Sequence, residues 1–229
     1  VSLRGRQMTV TNQCLERDLS TNGLFPKAWV RTGQSFQLLK DGDRTSVENE
    51  LLASKICQCF QCAQVVYKET IYDGEKVSAS PLMTSLDYSI VSRENYEIYA
   101  VNHHRNALED VLSLDSYSFY MMNILDYLIG NTDRHWGNWG FLVDNRTNRP
   151  VCLHPLMDFN QAFPAYDRPE GANCQTVFPL HATQQEAALS AVSRVGLNQL
   201  REVDEAWFGS DQKKSQMFFQ RLAFLKNLL

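Results

Sequence analysis

Three residues carry the chemistry that this sequence can be read for: Asp133, Asn138 and Asp158. The first two lie in Gly130-Asn-Thr-Asp-Arg-His-Trp-Gly-Asn138, which follows an apolar helical pattern and precedes a strand pattern. Asp158 opens an Asp-Phe-Asn triplet beyond a strand-loop-strand pattern. An Asp, an Asn five residues on and a second Asp past a hairpin are the minimal equipment for phosphoryl transfer. One carboxylate orients the attacking hydroxyl, while the amide and the other carboxylate hold Mg²⁺ against nucleotide phosphates. As base, Asp133 need only accept a proton late in a loose transition state, so a strongly raised pKa is unnecessary. The plainer alternative makes Asn131, Thr132, Asp133 and Asn138 turn formers that bond their own backbone. Two features favour the chemical reading: the strand-loop-strand-Asp order behind the motif, and Lys and Glu candidates upstream in the right order.

Those candidates are Lys40, Glu48 and Glu50. Lys40 ends a strand pattern, Ser35 to Lys40, just before Asp41-Gly42-Asp43. A lysine there can snorkel to solvent or contact nucleotide phosphates from a central strand. Thr45-Ser46 is read as the cap of a helix from Val47 to Phe60, with Glu48 and Glu50 in its first turn. One of these carboxylates would hold the lysine, although the helix dipole alone also favours acids there. The helix is apolar nearly all round, so periodicity does not choose between them. Further upstream, Ser20, Thr21, Asn22 and Gly23 form the opening turn of a hairpin whose second strand ends in Lys40. Backbone N–H groups in such a turn can hold phosphate oxygens; the alternative is an ordinary polar turn.

The elements that must position these residues follow from periodicity and punctuation. Residues 6–11 read as a strand. Gln64 to Thr70 and Lys76 to Met83 read as a hairpin around Tyr72-Asp73-Gly74-Glu75. With the first hairpin they predict a four- or five-stranded antiparallel sheet carrying one helix. Met83 to Val91 has no clean period and is read as a connection. The remainder is mostly helical: Arg93 to His103, Asp115 to Ile129 ending at Gly130, Thr183 to Val195 closed by Gly196, a short helix from Asn198, and Asp211 to Leu228. Trp139 to Val143 and Pro150 to Leu153 bracket a polar hairpin loop. Residues 161–182 are irregular, and an unstructured stretch of that length in a compact domain is often functional.

Composition bounds the rest. A chain of 229 residues suits one domain, or two lobes sharing a cleft. Its net charge of −4 gives no electrostatic reason to expect nucleic acid as a direct partner. No run approaches the roughly 20 apolar residues of a membrane span. The start, Val-Ser-Leu-Arg-Gly-Arg, has neither a signal-peptide pattern nor an initiator Met, so the native N-terminus is expected to be missing or processed. Six cysteines in a chain this long are no disulfide framework, and the expected compartment is reducing cytoplasm. Cys57, Cys59 and Cys62 invite a zinc reading, but no nearby pair supplies the remaining ligands, and buried thiols near a helix end account for them better.

Asn-Thr-Asp-Arg-His-Trp-Gly-Asn followed by Met-Asp-Phe-Asn resembles the catalytic loop and metal motif of the HipA-like kinases. The Asp-Arg-His order is similar to that of phosphoinositide lipid kinases and unlike the His-Arg-Asp of common protein kinases. Ser20-Thr-Asn-Gly23-Leu-Phe-Pro-Lys27 resembles the family's phosphate-side segment, Phe36-Gln-Leu-Leu-Lys40 its nucleotide-lysine strand, and Asn49-Glu50-Leu-Leu-Ala-Ser its Asn-Glu helix. The resemblance spans roughly residues 18–160 and favours Glu50 over Glu48. It implies an α+β, two-lobed protein-kinase-like fold, with a small antiparallel-sheet lobe over residues 1–83 and a mainly helical lobe over 84–229. It also implies ATP and Mg²⁺ as cofactors and serine/threonine phosphorylation. Asp133 would be the base, Asn138 and Asp158 the metal ligands, Lys40 the phosphate contact, and His135 a structural brace of the loop. There are departures: Phe25 stands where the family has Gln, Asp-Phe-Asn replaces Asp-Phe-Gly, and the chain is short for the family. Asn tolerates left-handed backbone angles, so the second departure is mild.

The expected function is therefore transfer of the γ-phosphate of Mg-ATP to a serine or threonine hydroxyl of a protein. The chain itself is one candidate acceptor, at Ser20 or Thr21. A lipid or small-molecule kinase of the same fold shares the constellation, differing only around residues 161–182. A pseudokinase or interaction module would keep the fold without turnover, but no essential charge is missing. Family members can act as toxins with a partner antitoxin; nothing in these residues marks a surface for one.

Overall fold

In the computed structural model the described residues are 27–33, 35–164, 168–176 and 182–227, together with the backbone of 2–3, 6–7 and 9–11. The strands are β1 (Ser2–Leu3), β2 (Arg6–Gln7), β3 (Thr9–Thr11), β4 (Lys27–Thr32) and β5 (Ser35–Lys40), followed by helix α1 (Arg44–Cys57). Next come β6 (Lys68–Tyr72), β7 (Glu75–Pro81), β8 (Tyr88–Ser92), α2 (Arg93–Asn102) and α3 (Ala107–Ile129). Strands β9 (Gly140–Asp144) and β10 (Arg149–Leu153) and helices α4 (Gln184–Val195) and α5 (Gln212–Lys226) complete the chain.

The first sheet has the order β3-β4-β5-β7-β6. Its hairpins are antiparallel, as the turn residues predict, but β3 joins β4 in parallel, so the sheet is mixed at that edge. Alternation on β5 and β7 points Leu39, Val77 and Ala79 at Ala28, which makes a small core of its own. Helix α1 lies on β7 and sends Ala53, Ile56 and Cys57 into the much larger core beneath. Its cap is Asp43, which accepts the Ser46 N–H at 2.8 Å. Thr45-Ser46, read as the cap from sequence, already lies within the helix. The earlier residue wins because a carboxylate takes both the Ser46 N–H and its hydroxyl.

The second sheet, β10-β9-β8, corrects the reading of Met83 to Val91 as a plain connection. Tyr88 to Ser92 pairs antiparallel with Gly140 to Asp144. At Gly140 the strands approach so closely that a Cβ would stand 2.2 Å from the Val91 carbonyl oxygen, so only glycine fits. Helix α3 is the axis of the large core, with Met121, Met122, Ile124, Leu125, Leu128 and Ile129 fully buried. It starts earlier than Asp115, yet Asp115 is a true break. Its backbone is non-helical, and its carboxylate accepts Ser118 N and Leu153 N, capping the long second half and fastening it to β10. The short helix expected from Asn198 is replaced by a helix stop. Asn198 is left-handed and donates its amide to the Val195 and Gly196 carbonyls at the end of α4; the next helical turn is Glu205–Phe208. Thr183 and Glu186 form the capping box of α4.

Cys57 and Cys59 are buried free thiols. Burial pushes the Cys57 thiol up, and that of Cys62 up to about 12, which leaves both unreactive. Among the described residues no helix is long and apolar enough to cross a membrane.

His154, just after β10, is buried. Its Nδ1 bonds the Pro155 carbonyl at 2.8 Å, so Nδ1 carries the proton, and the buried Nε2 has no partner among the described residues. Burial pushes its pKa down to about 4, with the Arg134 charge acting the same way. The folded ring therefore stays neutral while the unfolded chain binds a proton below its ordinary value of about 6.5. Stability present above pH ~6.5 erodes between there and pH ~4, by up to roughly 3 kcal/mol. Urea unfolding of His154→Asn is expected to depend less on pH in that window than the wild type; an unchanged pH slope would contradict the assignment.

Candidate active site

The end of α3 builds the loop. Gly130 adopts φ 60° and closes the helix, donating to the Tyr127 carbonyl, while Asn131 N bonds the Asp126 carbonyl. Asp126, buried in the last turn, receives Asn131 Nδ2 at 3.0 Å and a two-pronged bond from Arg134, at 2.9 and 3.0 Å. The same guanidinium donates Nη1 to the Asn138 carbonyl at 2.9 Å and to the Met157 carbonyl at 2.6 Å. Arg134 thus ties together the helix, the loop and the residue before Asp158. Burial lowers its pKa, but the Asp126 carboxylate outweighs this, so the cation stays charged.

Held this way, Asp133 turns outward, with its side chain 44% exposed. Asn138 Nδ2 donates to the Asp133 carbonyl at 2.8 Å and makes a long contact of 3.5 Å with its carboxylate. Both of these bonds use the amide nitrogen. The His135 ring accepts the Gly137 N–H on Nδ1 at 3.0 Å, and its Nε2 stands 3.9 Å from Asp133. That fixes the proton on Nε2, facing the carboxylate. Partial burial raises the Asp133 carboxyl above its ordinary value; His135 opposes this and Asp158 adds to it.

Lys40 is the junction with the first sheet. It is buried and bonds Glu50 Oε1 and Asp158 Oδ1, both at 2.7 Å. Glu50, 1% exposed, also accepts the Ser78 hydroxyl from β7, where Ser78 sits opposite Lys40 in register. Burial works against the Lys40 charge, but Glu50 and Asp158 together hold its pKa well above that of a free lysine. Glu48, the competing acid, faces solvent and pairs with Arg44 at 2.8 Å. Across the β4–β5 hairpin Lys27 stands opposite Lys40. Burial and then the Lys40 charge lower its pKa, with Asp158 and Glu50 opposing.

Asp158 itself is left-handed, at φ 61°. The expectation had put that tolerance on Asn160, whose φ is not positive. The Asp158 N–H reaches the Tyr67 hydroxyl at 3.1 Å, and Phe159 behind it is fully buried against Tyr67 and Arg134. Burial raises the Asp158 carboxyl, but Lys40, Lys27 and Arg134 more than offset it and hold the group ionised below its ordinary value.

Asp133, Asn138, His135, Asp158, Lys40 and Glu50, read from the sequence, are thus brought into one connected cluster. Ser20, Thr21, Asn22 and Gly23 lie outside the described residues. Sequence reasoning missed Asp126, Arg134, Tyr67 and Ser78, and also two clasps, one from the irregular segment and one from the start of α4. Gln175 Nε2 donates to the Thr132 carbonyl at 2.8 Å, and Gln184 Nε2 to the Asn131 carbonyl at 2.5 Å. The one available signal was Asp126, a carboxylate inside the apolar run Met121 to Ile129.

The oxygens that remain suit Mg²⁺. Asn138 spends its nitrogen on Asp133, which leaves the amide oxygen as an acceptor, and Asp158 is an ionised carboxylate. Among the described residues no three His, Cys, Asp or Glu side chains gather as a full protein cage. Two protein oxygens, completed by water and phosphate, are how Mg²⁺ is commonly held in nucleotide sites.

No family model and no curated protein matches the chain. Solved structures do. A Helicobacter pylori proinflammatory kinase, CtkA, superposes with a TM-score of 0.62 at 15% identity, covering 96% of this chain and 94% of that one. A Shewanella oneidensis MR-1 HipA, from a toxin–antitoxin complex with HipB and operator DNA, superposes with a TM-score of 0.52 at 13% identity. That match covers 92% of this chain and 66% of that HipA. The chain has the HipA-like kinase fold, α+β with a sheet-rich and a mainly helical lobe.

Proposed function

We propose that the chain is a HipA-like, ATP-dependent kinase that transfers the γ-phosphate of Mg-ATP to a serine or threonine hydroxyl of a protein. One observation carries this reading: buried Lys40 bridges Glu50 on α1 and Asp158 beyond β10, at 2.7 Å each. Such a bridge costs desolvation of three charges, and a site that must hold polyphosphate gives it a use. The kinase fold of the two neighbours raises the prior without supplying the chemistry. The sheet-rich lobe is taken as 1–83 and the helical lobe as 84–229.

Mg-ATP supplies the phosphoryl group and the counter-charge for its oxygens. Lys40, kept charged and aimed by Glu50, would bind phosphate oxygens, with Lys27 beside it on the same strand pair. Ser20, Thr21, Asn22 and Gly23 would add backbone N–H groups if they form the turn read from the sequence. Asn138 and Asp158 would give oxygen ligands to Mg²⁺. Asp133 would orient the acceptor hydroxyl and take its proton, and the upward shift of its pKa by partial burial improves it as a base. His135 would brace the loop through Gly137. The toxin–antitoxin setting of the Shewanella HipA makes an antitoxin-like partner a reasonable candidate for a pull-down.

Calorimetry tests the reading. ATP should bind in the presence of Mg²⁺ and much more weakly with EDTA; wild-type protein that shows no Mg²⁺-dependent ATP binding overturns it. Intact mass after incubation with Mg-ATP then reports self-modification. Added phosphate that disappears in Ser20→Ala/Thr21→Ala would assign it to the turn.

A further inference from the structure

A second feature is a cleft of about 480 Å³ between α5 and the residues Phe163, Pro164, Arg168 and Pro169. Among the described residues its lining holds the cations Arg168, Lys213, Lys214 and Arg221 and the acid Asp211. Among the described residues only Lys214 has a carboxylate partner there, Asp211 at 3.4 Å. For a chain of net charge −4 this is a local excess of the opposite sign.

Two details make the excess more than a solvated surface. Arg221 is 3% exposed, yet its bonds go to the carbonyls of Tyr127 at 2.6 Å and Arg168 at 3.3 Å, not to an anion. Burial lowers its pKa, as expected for a cation lacking a counter-charge. A buried guanidinium is ordinarily paired, because desolvation of an unpaired charge is costly. In addition, Lys213 and Lys214 occupy the first turn of α5, where the N-cap carboxylate of Asp211 accepts the Lys214 N–H and pairs with the Lys214 ammonium, leaving Lys213 without an acid in that turn. A cation at a helix N-terminus works against the dipole.

The other walls argue for a peptide over a bare anion. Phe224, 38% exposed, offers an apolar face, and Gln185, Gln216 and Gln220 can both donate and accept, as a peptide backbone requires. The cleft also adjoins the loop. Met217 and Arg221 atoms come within 3.0 and 3.1 Å of where a Gly130 Cβ would stand. Phe163 lies five residues past Asp158, no more than about 18 Å of extended chain.

We infer that this cleft docks an acidic linear segment bearing an apolar anchor residue, with its carboxylates on Arg168, Lys213, Lys214 and Arg221. That the segment belongs to the phosphate acceptor rests on the kinase reading above; the binding itself does not. Recognition of acidic motifs by clustered cations is a recurrent mode.

The probe is a short synthetic peptide of alternating Glu and Gly around one Phe, titrated calorimetrically into the full chain, with a Lys-for-Glu peptide as control. The acidic peptide is expected to bind, to weaken steeply with salt, and to lose at least about tenfold in affinity in Lys213→Glu/Lys214→Glu. Lys213 faces solvent while Lys214 is half-buried against Asp211 and the Phe163 ring, so a circular dichroism melt checks that the variant folds. Equal binding of the two peptides, or unchanged affinity in the variant, overturns the proposal. Inorganic phosphate displacing the peptide at equal concentration would reduce the cleft to a simple anion site and overturn it as well. ATP turnover on the same samples separates the two claims. Peptide binding without turnover keeps the cleft and rejects the kinase; turnover without peptide binding does the reverse.

Discussion

Replacing Asp133 with Ala is expected to lower phosphoryl transfer by about 10²–10⁴-fold, the usual worth of a general base, while the melting temperature stays nearly unchanged. The side chain is 44% exposed and its only amide contact is the long one at 3.5 Å. Asn138 keeps its shorter bond to the Asp133 carbonyl, which the substitution does not touch. ATP affinity should also persist, because Lys40 and Asp158 are untouched. Asp126→Ala provides the contrast. It strands Arg134, 2% exposed, without its carboxylate, and should cost about 3–5 kcal/mol of stability. Turnover and thermal melts of both variants decide the matter. Transfer that survives in Asp133→Ala, or an equal loss of stability in the two, would remove Asp133 from the chemistry.

The second large effect is expected at Lys40. Lys40→Met deprives Glu50, 1% exposed, and Asp158 of the cation bonded to both, with Lys27 the nearest charge remaining to the pair. Such an unpaired buried charge costs about 3–5 kcal/mol, and ATP binding should be lost with it. Glu50→Gln is milder, since Lys40 retains Asp158. In the double variant Lys40→Met/Glu50→Gln part of the stability should return, because one of the stranded carboxylates is now neutral. Urea unfolding of the four proteins measures this coupling, and strict additivity would contradict the bridge. The pH signs follow from the shifts. The Lys40 contribution is fully present below lysine's ordinary pKa and is lost only as pH rises through its raised value. The Asp158 contribution is present above the ordinary aspartate pKa and is lost as pH falls through its lowered value. The cluster therefore keeps its charges across the neutral range.

What the sequence disclosed and what it concealed have a common physical basis. Asp133, Asn138 and Asp158 could be singled out because the proposed phosphoryl transfer calls for particular groups in a particular order along the chain. Glu50 was separable from Glu48 only by resemblance, since α1 is apolar on nearly all sides. The structure distinguishes them by exposure, with Glu48 on Arg44 and Glu50 under Lys40. Tyr88 to Ser92 was unreadable as a strand because its partner, β9, lies some fifty residues away and its own pattern has no period. The clasps of Gln175 and Gln184 on the loop carbonyls were hidden for a related reason. A side chain that donates to a distant backbone oxygen leaves no local signature. Asp43 escaped notice as a cap because two hydroxyl residues followed it.

Arg134 has a consequence for how loss-of-function screens of this protein should be interpreted. One planar fork serves Asp126, Asn138 and Met157, three acceptors on three segments. A lysine carries the same charge but cannot reproduce that geometry. Position 134 will therefore score as intolerant as Asp133 in any activity-based selection, although its guanidinium is sealed from solvent. Sorting the two requires an abundance readout beside the activity one. Asp133 variants should accumulate normally and be inactive, whereas Arg134 variants should be depleted before activity is ever sampled.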